Sequence, residues 1–189
     1  MSRGGLKLEA AIEAFMVDVT NLACADLGCN VGGFTDCLLR RGAASVYAVD
    51  TGYGQLAWTL RKDNRVTVME RTNALHCAPE GMVELVVIDL AWTPQALAIP
   101  AGAKWLAPGG KIISLVKPHY EAAKRDPEYR KRKGGAKTEH LTDEAAEQIF
   151  HQTCDDLRSE GFHVLNFILS PIRGKGGGVE YLILVEPGE

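Results

Sequence analysis

Residues 26–34, Asp-Leu-Gly-Cys-Asn-Val-Gly-Gly-Phe, decide how the rest of this chain is interpreted. They follow an apolar run at 22–25 that is typical of a buried strand, and they precede a stretch at 35–41 that is typical of a helix. Glycine has no Cβ, so a glycine-rich turn lets the backbone approach a ligand closely. A lone glycine cluster also occurs in turns that bind nothing, so the remaining sequence has to decide between the two interpretations.

The order of apolar runs and helical stretches predicts one α/β domain that spans residues 1–189. Seven apolar runs are expected to be strands, at 22–25, 45–49, 65–69, 82–88, 111–116, 163–169 and 179–185. Helices are expected at 2–18, 35–41, 55–62, 94–106 and 142–160. Ser2 and Thr142 are suited to cap the first and the last of these helices. Strands that alternate with helices form a mostly parallel sheet with helices on both faces.

The connection between the last two predicted strands is different from the others. Only the nine residues 170–178 separate them, which is too short for the crossover helix that a parallel connection needs. We therefore predict an antiparallel C-terminal hairpin at the edge of the seven-stranded sheet. This arrangement favours a Rossmann-like class I methyltransferase fold over a dinucleotide-binding dehydrogenase.

Charge is distributed unevenly along the chain. The 189 residues are 46% hydrophobic, enough for a buried core, and the formal net charge is −3. Residues 124–137 contain seven Lys or Arg and two acidic residues, so this segment carries 7 − 2 = +5 and the remainder carries −8. We predict that 124–138 is a mobile basic loop, which either contacts a polyanion or is a solvated surface loop.

The cysteines and the hydropathy pattern indicate a reducing compartment. The five cysteines are odd in number and none has the two-residue spacing of a zinc knuckle, which favours free thiols over disulfides or a metal site. No apolar run approaches the roughly 20 residues that span a bilayer, and the N-terminus does not resemble a signal peptide. We expect a cytoplasmic protein without a metal or a membrane partner.

Polar residues follow five successive predicted strands, namely Asp26, Asp50, Asn73, Asp89 and Lys117. Each alone is compatible with ordinary turn or capping chemistry. Together they would lie at the carboxyl edge of a parallel sheet, where such sheets bind ligands. Asp50 is placed to accept hydrogen bonds from a ribose, but the glycine spacing does not match the G-x-G-x-x-G of nicotinamide enzymes. Lys117 is a candidate base if a second lysine, such as Lys7, lies close to it.

Seven stretches form a pattern that extends in order along nearly the whole chain. They are Ser2-Arg3-Gly4-Gly5-Leu6-Lys7-Leu8, the turn at 26–36, Val46-Tyr47-Ala48-Val49-Asp50 with Gly52-Tyr53-Gly54-Gln55-Leu56, Glu70-Arg71-Thr72-Asn73, Leu115-Val116-Lys117-Pro118, Ser170-Pro171-Ile172 and Glu180-Tyr181-Leu182. In this combination the chain resembles the FtsJ-like RNA ribose methyltransferases, and most closely the catalytic domain of the TlyA-type haemolysin/ribosomal RNA methyltransferases.

The resemblance implies a cofactor and a set of site residues. The cofactor would be S-adenosylmethionine, held by Gly28, Gly32, Phe34, Asp50, Asn73 and Asp89. The glycines and Phe34 would lie near its methionine part, Asp50 near its ribose and Asn73 near its adenine. The catalytic residues would be Lys7, Asp89, Lys117 and Glu180. In this set Lys117 would take the proton of a ribose 2′-hydroxyl, while the two carboxylates would hold the two ammonium groups.

The chain departs from the family pattern at several positions. Asp89-Leu90 continues as Ala91-Trp92, where the family has Ser-Phe, and Lys117-Pro118 continues as His119-Tyr120 in place of Gln-Phe. The glycine turn before Glu180 lacks the usual Asn. TlyA-type proteins carry an RNA-binding S4 domain before the catalytic one, and we expect this sequence to contain the catalytic domain alone. All four charged positions of the catalytic set are present.

We therefore expect ribose 2′-O-methylation of RNA, with ribosomal RNA as partner and the segment 124–138 as a contact to it. The protein is expected to be a monomer or a weak dimer. One alternative is a methyltransferase for another acceptor, either a base or a small molecule. Another alternative is a protein that binds cofactor or RNA without catalysis, although four intact catalytic positions argue against it.

Overall fold

A central sheet of seven strands organises the computed structural model of the chain, which describes residues 2–77, 81–126, 141–174 and 176–188. Its strands are β1 (Ala23–Leu27), β2 (Ser45–Val49), β3 (Val66–Met69), β4 (Val83–Ile88), β5 (Leu106–Val116), β6 (Phe162–Leu169) and β7 (Tyr181–Pro187). Their spatial order is β3-β2-β1-β4-β5-β7-β6. The predicted seven-stranded sheet is confirmed.

The direction of the strands also agrees with the sequence. β1 pairs in parallel with β2 and β4, and the pairs β2–β3 and β4–β5 are parallel as well. β7 runs antiparallel to β5 on one side and to β6 on the other, so the last two strands form the predicted hairpin. Strand order reverses between β1 and β4, which places a ligand-binding crevice at their carboxyl ends.

Six helices in the described ranges cover the sheet. They are α1 (Arg3–Ala14), α2 (Gly33–Arg40), α3 (Trp58–Arg61), α4 (Gln95–Ala103), α5 (Pro118–Arg125) and α6 (Asp143–Ser159). The two predicted caps are confirmed: the Ser2 hydroxyl accepts from the Gly5 N–H at 3.3 Å, and the Thr142 hydroxyl accepts from the Ala145 N–H at 3.2 Å. None of these helices has the length and apolar character needed to cross a membrane.

Two hydrophobic clusters lie on opposite faces of the sheet. Successive residues of a strand point to opposite faces, so Leu85 and Val87 of β4 join one cluster while Val86 and Ile88 join the other. The first cluster contains the apolar faces of α1 and α2, and the second contains those of α4 and α6. Helices therefore cover both faces, as predicted. The five cysteines are free thiols.

Around β5, the predicted start of the strand is wrong, and the helix that follows the strand was not predicted. The strand begins at Leu106 and not at 111, because the chain already pairs with β4 at Leu106; after a register shift, pairing continues from Lys111. Pro118 ends β5 but begins α5, since proline is well suited to the first turn of a helix.

The predicted basic loop overlaps this helix. Lys124 and Arg125 belong to α5 and are not part of a loop. Residues 127–140 lie outside the described residues, so most of the predicted loop at 124–138 stays a prediction.

Candidate active site at the carboxyl ends of the strands

A cavity of about 990 Å³ lies at the carboxyl ends of the parallel strands. Its wall includes the ends of β1 and β4, between which the strand order reverses. This volume is within the range of sites that hold a small-molecule cofactor. The charged and amide side chains that the sequence singled out and that line it are Lys7, Asp26, Asp50, Asn73, Asp89, Lys117 and Glu180.

One ion pair in the cavity joins Lys117 to Asp89. Asp89 directly follows β4 and Lys117 directly follows β5, and these strands are parallel neighbours, so both side chains lie at the same edge. The Lys117 Nζ donates to Asp89 Oδ1, and both side chains are less than one third exposed. The same Nζ lies 5.4 Å from the ring centroid of Tyr120 in α5, a cation–π contact.

A second ion pair joins Lys7 of α1 to Glu180, which directly precedes β7. Both side chains are buried, at 11% and 4% exposure, and the Lys7 Nζ donates to Glu180 Oε2. A Cβ on Gly174 would lie 2.5 Å from the other Glu180 oxygen, Oε1, so this glycine leaves room for the carboxylate. Four charged residues from separate parts of the chain thus line one cavity as two ion pairs.

The position of Lys7 depends on how α1 docks beside α2. Gly33 begins α2, and a Cβ at this position would lie 2.5 Å from Ser2 Oγ and 3.1 Å from the Gly5 nitrogen. The amino ends of the two helices can approach each other only because residue 33 is glycine. This close approach brings Lys7, one turn further along α1, to the cavity wall.

Two glycines of the turn, Gly28 and Gly32, have different structural roles. Gly28 lines the cavity at a φ of 92°, and a Cβ there would lie 2.5 Å from the carbonyl oxygen of Asp89. Gly32 has a φ of 93° but is not part of the cavity wall, and its Cβ would lie 2.2 Å from a methyl carbon of Leu60. Gly28 therefore belongs to the candidate site, whereas Gly32 is needed for packing against α3. Phe34 lines the cavity and is buried.

Asp26 is one of the polar residues that the sequence places at the ends of the strands, but the sequence gives it no role of its own. It is fully buried and lines the cavity, and its Oδ2 accepts from the Thr35 N–H at 2.8 Å and from the Thr35 hydroxyl at 2.6 Å. Its Oδ1 has no hydrogen-bond partner among the described residues. Burial raises the pKa of Asp26 to about 7, and the nearby Asp89 and Asp50 also favour its protonated form.

Asp50 and Asn73 combine turn chemistry with a place in the cavity wall. The Asp50 carboxylate accepts from the Asn30 N–H at 2.9 Å and from the Gly52 N–H at 2.7 Å. The Asn73 Oδ1 accepts from the Leu75 N–H at 3.0 Å, which leaves its amide donors for another partner. Asn30, at a φ of 49°, thus orients Asp50. Its neighbour Cys29 is buried in the core, and this burial raises the pKa of its thiol.

A stacked aromatic pair lies beside the Lys117–Asp89 ion pair. Trp92, at a φ of 57°, stacks on Tyr120 with 4.6 Å between ring centroids and 29° between planes. The indole is 66% exposed, although it is among the largest apolar side chains. Both residues lie at positions where the sequence departs from the family pattern. These departures were the feature of the sequence from which the pair could have been identified.

Comparisons with known proteins show the family to which the chain belongs. The family model described as FtsJ-like methyltransferase matches residues 1–186. The chain is 39% identical to a candidate rRNA methyltransferase, YqxC, of Bacillus subtilis, with 100% of the chain and 66% of YqxC covered. It is 40% identical to the 16S/23S rRNA (cytidine-2′-O)-methyltransferase TlyA of Mycobacterium tuberculosis, with 97% of the chain and 67% of TlyA covered. The chain thus spans about two thirds of the length of these relatives.

Solved structures give the same result for the fold. A candidate hemolysin from Streptococcus thermophilus matches with a TM-score of 0.85 and 35% identity, over 100% of this chain and 67% of the other. Several methyltransferase structures that are 13% to 15% identical match with TM-scores of 0.63 to 0.65 and share the fold alone. The predicted Rossmann-like methyltransferase fold is confirmed.

Proposed function

Because this chain belongs to the FtsJ-like methyltransferase family, we propose that it transfers a methyl group from S-adenosylmethionine to a ribose 2′-hydroxyl of ribosomal RNA. The observation that carries the proposal is the meeting of Lys7, Asp89, Lys117 and Glu180 in one cavity as two ion pairs. Relatives named as rRNA (cytidine-2′-O)-methyltransferases support the choice of substrate.

The residues present in the cavity fit the cofactor. Its methionine part carries an ammonium group, and the buried Asp26 Oδ1 is an acceptor without a partner among the described residues. Gly28 leaves the backbone open beside it, and Phe34 supplies an apolar wall. Asp50 and Asn73 keep acceptor and donor capacity for the ribose and the adenine. When bound, the cofactor supplies an electrophilic methyl group on a sulfonium.

The two lysines have different tasks in the proposed reaction. Lys117, which directly follows β5, would take the proton of the 2′-hydroxyl when the methyl group leaves the sulfonium for that oxygen. Asp89 then holds the Lys117 ammonium in place. Lys7 is fixed by the buried Glu180 and keeps a second ammonium group at the cavity wall. Correct placement of the hydroxyl supplies much of the remaining acceleration.

The stacked pair of Trp92 and Tyr120 supports RNA as the acceptor. The exposed ring of Trp92, which is not part of the cavity wall, offers a nucleic-acid base a surface on which to stack. A small molecule held within the cavity would need no such surface at Trp92.

The proposal is tested by transfer of labelled methyl groups to separated RNAs, followed by mapping of the modified nucleotide. We expect the label to stay with the sugar after the glycosidic bond is cleaved, whereas a methylated base would release it with the base. In the Lys117→Ala variant we expect transfer to fall by at least about 100-fold while cofactor binding persists. Undiminished transfer by this variant would refute the proposed role of Lys117.

A further inference from the structure

Two exposed aromatic rings, each with a cation over it, lie in and beside the connection between β2 and β3. The guanidinium carbon of Arg71 lies 4.2 Å from the ring centroid of Tyr53, and the Lys62 Nζ lies 4.7 Å from the ring centroid of Trp58. Tyr53 is 70% exposed and Trp58 is 68% exposed. Neither ring is part of the cavity wall. These four residues, called the ring–cation surface below, therefore lie outside the proposed cofactor site.

The ring–cation surface is held at the rim of the cavity. Thr51 and Gln55, on either side of Tyr53, both line the cavity. The loop is tied at both ends: the Gly54 N–H donates to Glu70 Oε1 at 2.9 Å, and the Ala57 N–H donates to the carbonyl of Val31 at 3.2 Å. Trp58 lies five positions after Tyr53 in the sequence, so their Cα atoms are at most roughly 17 Å apart. This span suits a few nucleotides.

The charges of this region point to a polyanion. Two neighbouring cations are neutralised, because Arg61 pairs with Glu70 and Arg65 pairs with Asp63. Lys62 and Arg71 have no acidic partner among the described residues. The positive charges that stay available are thus the two that lie over exposed rings. An acidic peptide would use these charges but would leave the two apolar ring faces without a function.

We propose that Tyr53, Trp58, Lys62 and Arg71 form a docking surface for single-stranded RNA. Bases stack on the open faces of the two rings, and the two cations contact the phosphates between them. The nucleotides held here are those that flank the one whose ribose enters the cavity. The inference rests on the proposed function for the nature of the substrate, and it adds the place where the substrate is held.

Binding of a short, fluorescently labelled single-stranded RNA, measured by anisotropy, tests the surface. We expect Tyr53→Ala and Trp58→Ala each to weaken binding about tenfold, since one stacked base is lost. Leu169→Ala is the matched control, because Leu169 is 60% exposed but lies on β6 at the opposite edge of the sheet. Its affinity should equal that of the wild type. All three variants should bind S-adenosylmethionine normally.

Salt dependence of RNA binding tests Lys62 and Arg71, and tryptophan fluorescence tests Trp58. Lys62→Gln and Arg71→Gln should each lower the slope of log affinity against log salt by about 0.7, the value for one phosphate contact on a single strand. In a Trp92→Phe background, the indoles left are Trp58 and the fully buried Trp105. Single-stranded RNA should then quench the fluorescence of Trp58, and the further change Trp58→Phe should abolish the quenching.

The outcomes separate the two proposals. Ring variants that bind RNA as tightly as the wild type, while the wild type methylates RNA, would overturn the docking surface and leave the proposed function intact. A wild-type protein that neither binds nor methylates RNA would overturn both.

Discussion

The two carboxyl oxygens of Asp26 differ in their hydrogen bonding. Thr35 donates two hydrogen bonds to Oδ2, while the fully buried Oδ1 has no partner among the described residues. An unpaired buried acceptor costs about 1–3 kcal/mol of stability. Retention of such a group is understandable if a ligand completes its hydrogen bonding.

The raised pKa of Asp26 predicts how stability changes with pH. Its pKa of about 7 in the folded chain lies above the ordinary value near 3.9. Between about pH 4 and pH 7, Asp26 is therefore protonated in the folded chain and ionised in the unfolded chain. The stabilising contribution is complete below about pH 4 and is lost as the pH rises to 7; its upper limit is on the order of 4 kcal/mol. The free energy of unfolding in urea is measured at pH 5 and at pH 8. The difference between these two values should be smaller for Asp26→Asn than for the wild type. Equal differences would contradict the prediction.

The exposed face of Trp92 predicts a selective effect on the proposed reaction. Trp92→Ala should lower kcat/KM for transfer to RNA by roughly 10- to 100-fold, because about 1–3 kcal/mol of base stacking is lost. Trp92→Phe keeps an aromatic face and should retain most of the rate. Because the indole is 66% exposed, thermal stability should change little in either variant. A Trp92→Ala enzyme with full kcat/KM would show that no base stacks there.

At the scale of elements, α4 and α5 are joined beside the Lys117–Asp89 pair. The buried Glu121 of α5 accepts from the Gln95 N–H at the start of α4 at 2.9 Å. The Gln95 side chain in turn accepts from the Ser114 hydroxyl at 2.7 Å, three residues before Lys117. The segments that follow Asp89 and Lys117 are therefore tied together one turn away from the ion pair.

This link predicts that Glu121 supports both stability and rate. Glu121→Ala removes the acceptor of the buried Gln95 N–H and should cost about 1–3 kcal/mol in urea unfolding. It should also lower kcat for methyl transfer more than it raises KM. Loss of the contact loosens α5, and Lys117 is the N-cap residue of that helix. Glu121→Gln keeps an acceptor oxygen and is the matched control. An alanine variant as stable and as active as the wild type would contradict the prediction.

Some elements could be predicted from the sequence and others could not. The strands and the caps at Ser2 and Thr142 follow local rules of periodicity and hydrogen bonding, and they were predicted correctly apart from the start of β5. The helix α5 was missed because Pro118 is compatible both with the end of a strand and with the start of a helix. The choice depends on Glu121, whose partner Gln95 lies 26 residues earlier in the chain. Such a contact cannot be identified from local pattern alone.

The sheet as a whole predicts which parts of the molecule open first. β4 and β5 are paired on both sides, whereas β3 and β6 form the edges. Amide hydrogen exchange should therefore be slow in β4 and β5 and clearly faster in β3 and β6. Exchange of β6 at the rate of β5 would contradict this ranking.

In the candidate site, too, some features could be predicted from the sequence and others could not. The carboxyl ends of parallel strands share one edge, so the proximity of Asp26, Asp50, Asn73, Asp89 and Lys117 could be predicted from the strand pattern. The position of Lys7 beside Glu180 depends on how α1 docks and on the insertion of β7 between β5 and β6. The different tasks of Gly28 and Gly32 depend on which neighbour each approaches, Asp89 or Leu60, and local sequence does not contain this information.

The ion pair between Lys7 and Glu180 joins residues 173 positions apart. During protein synthesis the amino-terminal lysine leaves the ribosome early and waits for its carboxylate until nearly the whole domain has been made. A chain that terminates prematurely, or that loses its last strand to a protease, retains the glycine turn and the cavity wall from β1 to β5 but lacks Glu180. Such a fragment would leave a buried lysine unpaired, which disfavours the native packing of α1. Completion of the proposed catalytic set is thus coupled to completion of the domain itself.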